Sequence, residues 1–435
     1  MEVFIIETQV FSRLKNNKSI SNDFKLKFIF YFAFLLMLSS LAFNSPTEIL
    51  NGMKKIILSP CHLITDYIAI SNIGATLFNG GIMTLISAIV LKKNKATITG
   101  PIIAAVFTVC GFSFFGKNIY NSLPIMFGVY LYCLVEKVKF NKVLIISMFA
   151  TALCPMVSFL TFSAGLSLKY GIIAGCSVGI LIGFVISPLA SSFLSFHQGY
   201  NLYNTGFTAG MIGMFLTGFL RMFDKNVEIR NIISLGNNLK ISFFLFPFFL
   251  FLFILGFIIN NRSFSGYKKL MNNTGRLIAD FDLIYGSGIT LINMAIMGTI
   301  STIYVLLIGG NLNGPILGAI FTIIGFSAFG NHPKNSIPIL IGVYLAQFFN
   351  KYNPKSTISM ITALFGTTLA PIAGEFGIIW GIIAGFFHVS MVMNIGYLHG
   401  GTNLYNNGFS GGFIAATIVP IIKSINNIIE RFKDE

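Results

Sequence analysis

The sequence predicts an all-α, polytopic transmembrane bundle made of two related halves. Only 10% of its 435 residues are charged and its mean hydropathy is +0.79, whereas a soluble protein carries about 25% charged residues. Its apolar runs are long enough for helices that cross a bilayer, each of which takes roughly 17–25 residues. A long segment of the first half also recurs in the second half, which predicts two pseudo-symmetric tandem repeats.

The repetition is clearest in residues 99–131 and 313–345. These segments read TGPIIAAVFTVCGFSFFGKNIYNSLPIMFGVYL and NGPILGAIFTIIGFSAFGNHPKNSIPILIGVYL, with 19 of 33 positions identical and no gap. The spacing of 214 residues holds from the first helix onward, and short gaps after this stretch pair Thr151 with Thr362. A second shared pattern, HxGxNLYNxGF, occupies residues 197–207 and 399–409. Duplication in a very apolar chain is typical of transporters and channels whose two halves surround one site.

The repeat divides the chain into five parts. They are a cytoplasmic N-terminal segment (1–24), a first transmembrane repeat (25–223), a linker (224–240), a second repeat (241–424) and a C-terminal tail (425–435). The first apolar run resembles a signal peptide, but its repeat partner lies mid-chain, so we interpret it as a retained helix.

Each half contains seven apolar segments. In the first half they lie near 28–43, 73–91, 98–115, 120–135, 143–163, 170–190 and 205–222. In the second half they lie near 242–259, 287–308, 314–329, 336–349, 356–373, 377–397 and 408–423. Several are short and interrupted by Gly or Pro, which predicts broken or re-entrant helices lining a site.

The number of crossings per half sets the relative orientation of the repeats. Seven crossings make them inverted, whereas an even number makes them parallel. Counts of Lys and Arg on the two sides of the membrane do not separate these arrangements. We favour inverted repeats on precedent, since alternating access and symmetric pores often use them.

Composition and motifs exclude several function classes. The net charge of +15 comes from basic residues scattered through short loops, as expected for cytoplasmic loops of a membrane protein rather than for nucleic-acid binding. The five cysteines all lie in the first half without CxxC spacing, which argues against disulfides or zinc. No HExxH, Walker or Rossmann motif is present, so we expect neither an enzyme nor a cofactor.

The first candidate site is the repeated pattern GPxxxxxFTxxGFSxFG. It places hydroxyls and aromatic rings at matched positions of the two halves, which makes the serines candidate pore-lining residues and the phenylalanines a candidate constriction. One interpretation is tight helix packing, with Asn121-Ser122 and Asn335-Ser336 at the expected N-caps of the next helices. The other is a helix break whose polar groups meet a solute. The residues are Ser113, Ser327, Phe112, Phe115, Phe326 and Phe329.

The second candidate is HxGxNLYNxGF, which concentrates polar groups between apolar segments. Such a cluster is costly in hydrocarbon unless it is paired or hydrated. It forms either a re-entrant loop at a pore or a satisfied loop that locks one half against the other. The candidate lining residues are His197, Asn201, Asn204, His399, Asn403 and Asn406. A metal site that joins the two histidines across the halves is a weaker alternative.

Four further polar residues occur in matched pairs. Asp66 and Asp280 each follow LIx, and buried carboxylates of this kind bind a cation, relay a proton or cap the next helix. Asn79 and Asn293 lie inside apolar runs and are candidates for hydrogen bonding to a solute or across helices.

With these residues, the chain resembles an uncharacterised family of bacterial integral membrane proteins known only as a domain of unknown function. The resemblance rests on the two copies of GPxxxxxFTxxGFSxFG and of HxGxNLYNxGF, covers nearly the whole chain and implies no activity. A fainter likeness is to urea transporters, through residues 74–79 with 122–124 and 288–293 with 336–338. That family's Asn-Pro-Leu signature is absent, so the likeness implies a general pore-like plan and not urea itself.

The leading functional prediction is a transporter or channel for a small polar solute or ion, with its site between the repeats. A membrane-embedded redox or enzyme subunit and a membrane scaffold are the alternatives. The expected partners are the lipid bilayer and the solute, without nucleic acid, and a homo-oligomer is left open. The expected location is the bacterial inner membrane, with Asp66 and Asp280 as candidates for ion or proton coupling.

Overall fold

The computed structural model describes residues 20–61, 63–227 and 231–434. In the first half the helices are α1 (Asn22–Ser40), α2 (Pro46–Leu58), α3 (Tyr67–Ile70), α4 (Ile73–Lys93), α5 (Gly100–Phe112), α6 (Ile119–Val135), α7 (Leu144–Ala150), α8 (Cys154–Phe162), α9 (Leu168–Phe196) and α10 (Asn204–Met222). In the second half they are α11 (Asn238–Ile259), α12 (Tyr267–Leu270), α13 (Phe281–Tyr285), α14 (Ser287–Ile308), α15 (Gly314–Phe326), α16 (Pro333–Ala346), α17 (Thr357–Gly366), α18 (Ala370–Phe376), α19 (Ile378–Ile395) and α20 (Asn406–Asp434). Short 3₁₀ turns join α7 to α8 and α17 to α18.

The helices confirm the predicted all-α, multi-pass membrane fold. Eight stretches of the described chain are long and apolar enough to cross a bilayer, and every apolar segment predicted from sequence corresponds to a helix. By contrast, α5 and α15 have 13 residues each, which makes each about 20 Å long against a hydrocarbon core of about 30 Å. These two short helices therefore need the rest of the protein to cover their ends.

The starts of α6 and α16 lie one turn earlier than the sequence predicts. The predicted caps were Asn121 and Asn335, but the caps are Asn118 and His332. Asn121 and Asn335 occupy the third helical position, and their side chains bond back to the cap N–H groups at 2.9 Å. This reciprocal pair of bonds is a capping box, and it is made in both halves.

The repeat register also differs in the first helix. The sequence pairs α1 with α11 at a spacing of 214 residues, whereas the contacts pair them at 216. Asn22 bonds the carbonyl of Ala96 at 2.9 Å and the N–H of Ile98 at 2.6 Å, and Asn238 makes the corresponding bonds at 3.0 and 2.6 Å. In each half these two bonds hold the start of the first helix (α1 or α11) against the turn that precedes the short helix (α5 or α15).

The centre of the molecule is the crossing of α5 and α15. Gly111, near the end of α5, meets Gly318 near the start of α15, and Gly325 meets Ala104 in the opposite sense. The two helices therefore run antiparallel. A Cβ on Gly111 would lie 2.6 Å from the Gly318 carbonyl oxygen, so glycine is required for this close approach, as at other helix contacts made through small residues.

Four aromatic rings cover one side of this crossing. Phe107 of α5 and Phe321 of α15 stack with Phe32 of α1 and Phe248 of α11, with ring centroids 4.9–6.3 Å apart. Each ring and its counterpart in the other half occupy equivalent places in the stack. Offset stacking of this kind adds to the burial of apolar area and joins α1 and α11 to the central pair.

We expect the substitution Gly318→Ala to lower the midpoint of thermal unfolding in detergent. Its new Cβ would lie 2.3 Å from the Phe115 ring and 2.8 Å from the Gly111 carbonyl, and overpacking of this kind costs about 1–3 kcal/mol. The matched control is Gly218→Ala in α10, where nothing lies within 4 Å and the higher helix propensity of alanine is the main effect. Equal midpoints for the two variants would contradict the close crossing.

Candidate functional site

Asn79 and Asn293 hold the chain where the short helices end. The Asn79 amide donates to the carbonyls of Ser113 and Lys117 at 2.7 and 2.8 Å, and Asn293 makes the equivalent pair of bonds at the same two distances. Each amide thereby supplies donors to carbonyls that the helix leaves free. The two asparagines, which the sequence offered as pore-lining residues, are fully buried and lie behind the helix breaks.

The serines and phenylalanines of the same motif are also buried in the breaks. The hydroxyls of Ser113 and Ser327 donate to carbonyls of their own helices at 2.6 and 2.7 Å, which satisfies them within the turn. Phe112 packs edge-on against Tyr405 at 4.5 Å between ring centroids, and Phe326 packs against Tyr203, also at 4.5 Å. The aromatic residues therefore meet the tyrosines of the second motif.

Asp66 caps two helices at once. Its Oδ1 accepts the N–H of Ile68 at 2.9 Å at the start of α3, and the N–H of Gly314 at 3.0 Å at the start of α15. Its Oδ2 accepts the N–H and the hydroxyl of Ser234 in the linker at 2.8 and 2.5 Å. A carboxylate at a helix start is favourable both as a hydrogen-bond acceptor and through the helix dipole.

Asp280 makes the reciprocal contact. It accepts the N–H of Leu283 at 3.0 Å at the start of α13 and the N–H of Gly100 at 3.2 Å at the start of α5. Each half therefore supplies the carboxylate that caps the short helix of the other half. The sequence predicted a cap for the following helix of the same half, whereas the bond to the opposite half has no local sequence signal.

The HxGxNLYNxGF motif forms a closed loop in each half. Nε2 of His197 lies 3.0 Å from Oδ1 of Asn204, and Nε2 of His399 lies 2.8 Å from Oδ1 of Asn406. The two asparagine amides donate to the preceding helices, at 3.0 Å to Ala190 and at 3.2 Å to Val392. The spacing from His to Asn thus fixes the turn between α9 and α10, and between α19 and α20.

The two loops meet each other across the halves. Asn201 donates to the carbonyl of Gly408 at 2.9 Å, and Asn403 donates to that of Gly206 at 3.3 Å. The rings of Tyr203 and Tyr405 lie 5.0 Å apart. The polar clusters that the sequence predicted separately therefore converge at the interface between the halves.

A cavity of about 440 Å³ lies at this interface. Both halves contribute to its wall, mainly through aliphatic and aromatic side chains, and a few polar groups are spaced around it. The residues that define it for the following sections are Ile146, Phe149, Tyr203, Asn204, Ile278, Phe326, Phe329 and Tyr405.

Three of the predicted site residues line the cavity, namely Asn204, Phe326 and Phe329. The others form the supporting layer: the asparagine tethers, the carboxylate caps, the serines, the remaining loop residues and the phenylalanines of the first half. Tyr203 and Tyr405 line the cavity as well and were not among the predicted site residues, although both stand inside the shared motif. No group of three or more His, Cys, Asp or Glu side chains in the described ranges is placed to hold a metal ion.

Lys117 is a further residue that sequence reasoning missed. It lies in the break between α5 and α6, is completely buried, and donates from Nζ to the Thr151 hydroxyl at 2.6 Å. Its ammonium also lies 5.4 Å from the Phe112 ring centroid, and none of the ion pairs among the described residues includes it. The equivalent position holds Asn331, whose amide donates to Thr367 at 3.3 Å.

The break contacts also correct the repeat alignment. The sequence pairs Thr151 with Thr362, but the equivalent bonds from Lys117 and Asn331 pair Thr151 with Thr367. Both threonines begin a 3₁₀ turn followed by a helix with proline in its first turn. The first half therefore carries a buried positive charge where the second half carries a neutral amide.

We expect Asp66→Ala to lower the thermal unfolding midpoint strongly. The substitution removes the acceptor for three backbone N–H groups and one hydroxyl, and each unsatisfied buried donor costs about 1–3 kcal/mol. The control is Asp23→Ala, because Asp23 is mostly exposed and forms an ion pair with Lys27 on its own helix, a contact of little value. A midpoint equal to that of the control would show that the reciprocal cap contributes nothing.

We expect Lys117→Asn to fold with an unchanged or higher unfolding midpoint. Asparagine already fits the equivalent place in the second half, and removing a buried unpaired charge relieves its desolvation cost. The reverse substitution, Asn331→Lys, should lower the midpoint because it buries a second ammonium. If Lys117→Asn destabilises the protein as much as the reverse change does, the ammonium is a structural contact.

The family model described as "Protein of unknown function (DUF1576)" matches residues 45–222 and 259–424. This match confirms the resemblance to an uncharacterised family. No curated protein and no solved structure matches the chain. The likeness to urea transporters and the bacterial inner-membrane location stay predictions.

Proposed function

Since the chain belongs to the DUF1576 family of proteins of unknown function, we propose a function from its own geometry: transport of a small organic solute across the membrane. The observation that carries this proposal is the cavity of about 440 Å³ where the two polar loops meet. Its volume falls within the range of about 300–1,000 Å³ that is usual for small-molecule sites. Sites at the contact between two related halves are typical of membrane transporters.

Inverted repeats are part of this proposal. The antiparallel crossing of α5 and α15 and the reciprocal caps of Asp66 and Asp280 support a two-fold axis between the short helices. The axis runs perpendicular to the two helices, since only then does it exchange antiparallel partners. Two equivalent places related by such an axis face opposite sides of the bilayer.

The lining favours an amphipathic solute over a hydrated ion. Most of the wall is aliphatic or aromatic, and polar atoms come from Asn204, Thr205, Ser191 and from Lys142. No carboxylate of the described residues lines the cavity, which disfavours a site for a bare cation because hard cations select oxygen ligands. Asp66 and Asp280 remain the candidates for coupling to a proton or cation, because each is buried at a helix start.

Reconstitution tests the proposal directly. We expect the purified protein to be stabilised against thermal unfolding by some members of a panel of small amphipathic acids, amines and neutral solutes, since a ligand that binds the native state raises the midpoint. The same solutes should enter proteoliposomes faster than they enter protein-free vesicles. Flux equal to that of empty vesicles for the whole panel would contradict transport.

A cavity-filling substitution then locates the path. We expect Ile146→Trp to reduce flux several-fold because its larger ring enters the cavity. Ile172→Trp is the matched control, since Ile172 is 40% exposed on the surface of α9 and does not line the cavity. Equal flux through the two variants would place the path elsewhere.

A further inference from the structure

The cavity exists in only one of two equivalent places. Ile278 in the cavity wall is 50% exposed, whereas its counterpart Ile64 is 2% exposed. Asn204 is half-buried in the wall, whereas its counterpart Asn406 is buried. The region around Ile64 and Asn406, which we call the closed vestibule, is therefore packed shut. The linker contributes to this closure, because the N–H of Ile232 donates to the Ile64 carbonyl at 3.1 Å.

The helices beside the cavity are also less buried than their counterparts beside the closed vestibule. Pro101 at the start of α5 is half-buried beside the cavity, and Pro315 at the start of α15 is buried. Ile146 of α7 is half-buried, whereas Thr362, its counterpart in the corrected register, is 1% exposed on α17. The start of α15 and the part of α17 around Thr362 are therefore more completely covered than the start of α5 and the part of α7 around Ile146.

A hydrogen bond between α15 and α17 lies beside the closed vestibule and has no counterpart beside the cavity. Asn313, which caps α15, donates to the hydroxyl of Thr357 at the start of α17 at 2.8 Å. Its counterpart Thr99 makes no side-chain cap bond at the start of α5, and the counterpart of Thr357 is the exposed Asn141. We call the Asn313–Thr357 bond the latch.

We propose that the cavity and the closed vestibule are alternating access paths, so that one opens as the other closes. This inference rests on the proposed transport function and specifies its mechanism. Because α5 and α15 are antiparallel, their starting residues, and with them the two paths, lie at opposite ends of the crossing. Exchange of the arrangements of α7 and α17, together with movement of the linker away from Ile64, turns the observed state into its opposite without altering the central crossing, as expected for alternating access by inverted repeats.

Cysteine accessibility tests the exchange without knowledge of the solute. Ile278→Cys and Ile64→Cys are placed singly in a chain whose five native cysteines are replaced by alanine. Proteoliposomes are then treated with a membrane-impermeant maleimide from each face in turn. We expect both variants to react, from opposite faces, with Ile278→Cys reacting faster.

Two disulfide cross-links, one at the latch and one at the equivalent position of the first half, test each state separately. Oxidation of Asn313→Cys with Thr357→Cys should abolish the reaction of Ile64→Cys and preserve that of Ile278→Cys. Oxidation of Thr99→Cys with Asn141→Cys should do the reverse, because it traps the opposite state. Should a cysteine pair fail to fold, Asn313→Ala with Thr357→Ala releases the latch, and we expect the reaction of Ile64→Cys to rise roughly three- to tenfold, as for the loss of one net hydrogen bond.

The outcomes separate the mechanism from the proposed function. Reaction of Ile64→Cys and Ile278→Cys from one face, or no reaction of Ile64→Cys after latch release, overturns alternation, and measurable flux in the same preparation would then leave transport by a channel. Opposite-face reaction that the cross-links control supports alternation, and the flux measurement independently decides whether a solute moves with it.

Discussion

The fold depends on a reciprocal exchange of helix caps between the two halves. α5 and α15 are too short to reach across the bilayer, so their first N–H groups start inside the protein, where water cannot satisfy them. Asp66 and Asp280 supply these acceptors from the opposite halves. Neither short helix can therefore be completed by its own half, and the folding of each half is coupled to docking with the other.

The same constraint explains why most of the polar residues shared by the two halves have structural roles. A helix that ends within the protein leaves carbonyls without partners, and Asn79 and Asn293 each bridge two of them. The loop asparagines perform the same task between halves, with Asn201 and Asn403 bonding carbonyls of the opposite loop. Polar side chains are costly in a membrane unless they are paired. Most polar residues shared by the two halves therefore bond the ends of broken helices, and only a few face the cavity.

Much of the architecture is predictable from sequence, because apolar run length and Gly or Pro interruptions act locally. The duplicated motifs also predicted which residues would meet. The roles of these residues were harder to predict. Asp66 was recognisable as a helix cap, but its partner Gly314 is 248 residues away in the sequence. Lys117 could not be predicted from the repeat, because the matched position in the other half is an asparagine. The repeat singles out only residues that are the same in both halves.

The two halves share a common scaffold and differ at particular places on it. The tethers at the helix breaks have identical lengths in the two halves, and so do the bonds from Asn121 and Asn335 to Gly116 and Gly330. The halves differ where α7 and α17 approach the short helices, and also at Lys117 and Asn331 and in the linker bonds to Asp66. A closely packed interior holds discrete arrangements and does not deform continuously. The arrangements of α7 and α17 are therefore the two states that the proposed alternation exchanges, and the cavity belongs to the open one.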